Sequence, residues 1–72
     1  MSKPSLEFKL SSEYIELDNL LKAVNIVPTG AQAKMLIIAD SVKVNNVVEK
    51  RVRRKLRKGD TVEVHGRAIL LV

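Results

Sequence analysis

The residues best equipped for chemistry stand in one run. Lys50-Arg51-Val52-Arg53-Arg54-Lys55-Leu56-Arg57-Lys58 carries seven basic side chains in nine positions, four of them arginine. Guanidinium groups grip phosphate bidentately and stack on planar rings, which suits them to nucleic acid. Residues 34–58 hold nine Lys or Arg against Asp40 and Glu49, a surplus of seven. Residues 1–33 and residues 59–72 each hold one acid more than base. The net charge of +5 is therefore a local block between near-neutral flanks. That distribution points to a patch facing a polyanion. The competing reading is a solvated, charged loop. The lack of a balancing acidic block weighs against it.

A second candidate lies at residues 29–34, Thr-Gly-Ala-Gln-Ala-Lys. Thr29 with Gln32 three positions on has the spacing of a capping box, so a helix starts here. Free backbone N–H groups at a helix start attract anions, helped by the helix dipole. Gly30 puts no side chain in a phosphate's way, and Lys34 one turn later reaches the same region. An ordinary capped helix that merely tolerates Gly30 is the alternative.

Other chemistries find little support. His65 is the only histidine and falls in a turn, there is no cysteine, and nothing singles out Asp60 or Glu63 as an acid or base. Three scattered glycines make no phosphate-cradling loop. The expectation is a protein without catalytic residues, metal or cofactor. Phe8 and Tyr14 are the only aromatic residues. Phe8 reads as core. Tyr14 reads as half-buried support, with base stacking as its alternative. Recognition by charge and shape of a structured, double-helical region fits this composition better than a platform for single strands.

The supporting elements follow from periodicity. Seventy-two residues make one domain, residues 1–72, whose core is small. No apolar run approaches the roughly 18 residues of a membrane span, and no apolar segment follows Met-Ser-Lys-Pro-Ser, so a cytoplasmic monomer is expected. Residues 1–5 read as a loose terminus. Residues 6–10 alternate like a half-buried strand. Leu17, Leu20, Leu21 and Val24 form one helical stripe that ends near Asn25, before Pro28. Ala33, Leu36 and Ile37 form the buried stripe of the second helix, which Asp40-Ser41 terminates. Val42 and Val44 face inward and Lys43 outward, with Asn45-Asn46 as a hairpin turn into Val47-Val48. Val52 and Leu56 are spaced to anchor the basic run. Gly59-Asp60 turns the chain into a last hairpin, residues 61–64 and 67–72, through His65-Gly66. The fold class is α+β: two short helices packed on a small, mostly antiparallel sheet. Helix start, hairpin and basic run are expected to share one face.

Four pieces in this order resemble the small RNA-binding domain named after ribosomal protein S-four, also called the αL motif. They are Leu17-Asp18 with Leu21, residues 29–34, Val42-Lys43-Val44-Asn45-Asn46, and Lys58-Gly59-Asp60-Thr61-Val62. The resemblance covers about residues 15–64. Gly30-Ala31-Gln32-Ala33-Lys34 and Lys55-Leu56-Arg57-Lys58-Gly59-Asp60 are similar to the short stand-alone bacterial members. Gly30 stands where many members carry arginine, Glu16 where many carry arginine before the early Leu-Asp, and Asn46 where a turn glycine is usual. The resemblance implies binding without catalysis to structured RNA, ribosomal RNA or tRNA. It implies contacts from Thr29, Gly30, Gln32 and Lys34, from Lys43 and Asn45, and from Arg51, Arg53, Arg54, Lys55, Arg57 and Lys58. A DNA-binding module and a module docking on an acidic protein partner are the alternatives.

Overall fold

The computed structural model describes residues 6–72, so the expected loose terminus lies outside the described residues. The elements run β1 (Leu6–Phe8), β2 (Ile15–Glu16), α1 (Leu17–Ala23), α2 (Gly30–Ile38), β3 (Val42–Val44), β4 (Val47–Val48), β5 (Lys55–Leu56), β6 (Thr61–Val64) and β7 (Arg67–Leu71). Five strands form one sheet in the order β1-β7-β6-β3-β4, and β2 pairs with β5 in a separate ribbon. Pairing is antiparallel except between β1 and β7. The architecture is α+β, as the hydrophobic periods require.

Period-two alternation sets the sheet's inner face. Val42 and Val44 lie opposite Val64 and Val62, and Val62 lies opposite Ile69. All five are buried and pack with Leu17, Leu20, Leu21, Ala33 and Ile37 of the helices in one core. Lys43, between the two valines, is exposed. Its neighbours across the strands are Glu63 and Val48. Both hairpins turn on two residues with positive φ, Asn45 (53°) with Asn46 (72°) and His65 (52°) with Gly66 (75°). That pair of left-handed residues matches the twist of the strands. Asn46 holds the position without help from glycine. The strand expected over residues 6–10 pairs only to Phe8, which is half-buried against the core. The chain still stays tied down, because the Leu10 N–H donates to the Val72 carbonyl (2.8 Å) and Leu10 is buried.

Neither helix has a glycine at its end, and both close in the same way. After α1, Asn25 at φ 61° donates to the Lys22 carbonyl and Ile26 to the Leu21 carbonyl. After α2, Asp40 at φ 62° donates to the Ile37 carbonyl and Ser41 to the Leu36 carbonyl. These are Schellman closures with Asn and Asp in the left-handed position. Leu36, expected in the core, is only partly buried.

Candidate nucleic-acid interface

The basic run is a fastened segment, and its fastenings begin in the backbone. α1 starts at Glu16, which makes no side-chain cap. The first helical N–H groups find partners in the run instead: Leu17 donates to the Arg54 carbonyl (2.9 Å) and Asp18 to the Val52 carbonyl (3.1 Å). A seven-residue helix is marginal alone, so this tertiary cap supports α1 as much as it holds the run. The next residues pair with β2, Ile15 opposite Leu56 and Glu16 opposite Lys55. Leu56 is fully buried and Val52 partly so, which anchors the run at the two apolar positions.

Side chains complete the clamp. Glu49 is buried at 7% exposure and accepts from Arg51 Nε (2.9 Å), Arg51 N (3.0 Å) and Arg54 Nη1 (2.7 Å). Those donors, Arg51 foremost, hold the Glu49 carboxyl down at about 2, well below the usual carboxylate range, against the opposing pull of burial. The same contact raises the Arg51 guanidinium further. Lys50 reaches back to Asp40 at 3.7 Å, an exposed pair of small energetic weight. At the far end, Asp60 Oδ2 accepts from the Arg57 N–H (2.8 Å). Asn45 closes the circuit, because its Nδ2 donates to Asp60 Oδ1 and its Oδ1 accepts from the Thr61 N–H, both at 3.0 Å.

This geometry sorts the expected contacts. Arg53, Lys55, Arg57 and Lys58 are exposed and, among the described residues, stand in no ion pair. Arg51 is exposed but turned onto Glu49, and Arg54 is half-buried against the same carboxylate. The Asn45 amide is committed to the Asp60 turn. Lys43 lies on the outer face of the sheet, while the helices pack on the inner one. Strand alternation imposes that separation.

At the start of α2 the Thr29 hydroxyl accepts from the Gln32 N–H (3.2 Å). Lys34 is exposed one turn on. A Cβ built on Gly30 would stand 3.9 Å from Lys22 Nζ, so a lysine of α1 sits beside the helix start. Lys22 escaped the sequence reading because α1 presents it by packing against α2, a pairing that no local spacing encodes. The run meets α1 at its first turn and Lys22 lies in its last. The two positive regions are thus separated by the helix length, about 10 Å.

Two helices laid on one face of a mostly antiparallel sheet, with cations clamped beside them, define a small domain of the αL type. The family model described as S4 domain matches residues 8–72, and the chain belongs to that family. It is 41% identical over 59 residues to YbcJ of Escherichia coli (strain K12), provisionally named an RNA-binding protein, covering 82% of this chain and 84% of YbcJ. The solution structure of E. coli YbcJ, described as revealing an αL motif involved in RNA binding, superposes with a TM-score of 0.72 at 38% identity, covering 100% of this chain and 91% of that one. RlbA of Bacillus subtilis (strain 168), named a probable ribosome maturation protein, is 35% identical over 57 residues, covering 79% of this chain and 80% of RlbA.

Proposed function

We propose that the chain binds structured RNA, ribosomal RNA or tRNA, without catalysing a reaction on it. The observation that carries this reading is the clamped basic run. Cations crowded together repel one another, and a flexible loop would let them spread. Here backbone bonds to α1, the β2–β5 ribbon and the Glu49 latch hold Arg53, Lys55, Arg57 and Lys58 close, so their electrostatic cost is offset when phosphates bind. The start of α2, with Lys34 and Lys22, adds a second anion-attracting region. Asn45 acts through the Asp60 turn that ends the run, and Arg51 and Arg54 act partly through Glu49. The names given to YbcJ and RlbA support RNA and a place on or near the ribosome, and the cytoplasm is the compartment that this reading expects. No helix among the described residues is long and apolar enough to cross a membrane.

Fluorescence anisotropy with matched RNA and DNA duplexes tests the reading. RNA is expected to win the competition, because only RNA offers the 2′-hydroxyl and the A-form minor groove. Equal binding would turn the assignment to a general duplex binder. Pull-down with and without nuclease separates an acidic protein partner, which survives nuclease, from RNA, which does not.

A further inference from the structure

The β2–β5 ribbon brings the one exposed aromatic ring of the described residues into the basic run. Ile15 lies opposite Leu56, so continued alternation sets Tyr14 across from Arg57 and on the same outward face as Lys55. The contacts agree: Lys55 Nζ lies 4.8 Å and Arg57 Cζ 5.9 Å from the Tyr14 ring centroid. Both are within cation–π range. The Ser12 hydroxyl donates to the Tyr14 carbonyl (2.9 Å), which pins the approach to the strand. Yet the residue is 37% exposed, and it lines a shallow depression that reaches Asn19 on α1. A neighbouring depression is lined by Ser11, Ser12, Glu13, Arg57 and Lys58. Phe8, the other aromatic residue, is packed against the core and cannot serve as a platform.

We infer that Tyr14 is a stacking site for one unpaired nucleobase, whose flanking phosphate is held by Lys55, Arg57 and Lys58. The inference rests on the RNA-binding reading and narrows its ligand. Bases inside a duplex are stacked on each other and offer no face to a tyrosine. A bulged or terminal base beside a stem does, and its phosphate then lies among the cations of the run. Glu13 lines both depressions, whereas Glu16 lines only the one toward α1, so a phosphate is favoured on the side of Arg57 and Lys58. The preferred RNA is thus a stem with an adjoining unpaired nucleotide, where charge grips the stem and the ring reads that it ends.

Tyr14 is the only tyrosine and there is no tryptophan, so intrinsic emission reports this ring alone. The test uses stems carrying one unpaired adenosine, bulged or terminal, and the same stems with an abasic nucleotide there, which keeps the phosphate and removes the base. In at least one of the two positions, the adenosine RNA should bind about fivefold or more tightly than its abasic partner and quench the tyrosine. Tyr14→Phe should keep that preference, and Tyr14→Ala should erase it, binding the adenosine and abasic stems alike. Equal binding of each adenosine and abasic pair with unchanged emission overturns the inference, as does a preference that survives in Tyr14→Ala. Should Tyr14→Ala fail to fold, the wild-type emission and Tyr14→Phe affinities decide alone. Failure of the wild type to bind any stem instead removes the RNA-binding reading on which the site depends.

Discussion

Glu49 is the residue whose importance was hardest to see in the sequence, where it is one acid beside a block of bases. Folded, its carboxylate holds two arginines of that block. Because its folded value is lowered to about 2, the unfolded chain takes up the proton first as pH falls. Its stabilisation is therefore fully present above about pH 4.5 and is lost as pH falls from there toward 2. Arg51 is largely exposed, so solvent screening keeps the contribution well below what a fully buried pair would give. Glu49→Gln should lower the melting temperature at neutral pH by several degrees, and the difference from wild type should shrink across that acid window. Melts from pH 7 to pH 3 check this; a constant difference would mean the carboxylate's charge is not what matters. Gly30 makes the second prediction at this scale. A Cβ at Gly30 meets only Lys22 Nζ, at an ordinary 3.9 Å, and an acid in a first turn suits the helix, so Gly30→Glu should keep the fold. RNA affinity should fall roughly tenfold, as expected for a carboxylate placed where a phosphate docks. Anisotropy with circular dichroism decides it, and unchanged affinity would remove the α2 start from the interface.

Among elements, the β3–β4 hairpin carries the clearest test of register. Val44 is buried on the inner face and Lys43 is exposed on the outer one. Val44→Asp should unfold the domain, since an unpaired buried carboxylate costs several kcal/mol, while Lys43→Ala should melt like wild type. The hairpin's turn is also joined to the end of the basic run through Asn45, Asp60 and Thr61. Asn45→Gly keeps the left-handed backbone and removes both side-chain bonds, so it isolates their value at roughly 1–3 kcal/mol. A folded Asn45→Gly protein that lost RNA affinity far beyond its loss of stability would return Asn45 to the contact surface.

For the molecule as a whole, the separation of charge predicts its response to salt. With about four to six phosphates neutralised, log K against log salt should fall with a slope of roughly −3 to −5. Arg53 and Lys58 are exposed and stand outside the Glu49 latch, so their joint replacement by Ala should spare stability and flatten the slope by about one unit for each lost contact. Arg54→Ala is the less informative variant, because it also strips a partner from Glu49. A slope near zero in the wild type would sink the electrostatic mechanism.

The sequence by itself determined what depends on near neighbours along the chain. Valines two apart in residues 42–44 dictated the inner face, paired asparagines dictated the hairpin turn, Thr29 placed a helix start, and the density of Lys and Arg marked the phosphate-seeking run. Four short motifs in order were enough to point to the family. Only the tertiary structure decided which charges are available. Arg51 and Arg54 look equivalent to Arg53 in the chain, yet Glu49 holds them and leaves Arg53 exposed. Lys22 and Tyr14 lie 28 and 41 residues before Lys50 and Lys55, and they reach the working surface through helix packing and a two-residue strand pair. Periodicity and capping act over a few residues and are written locally, whereas the partner of a charged side chain is set by which distant segments the buried core brings together.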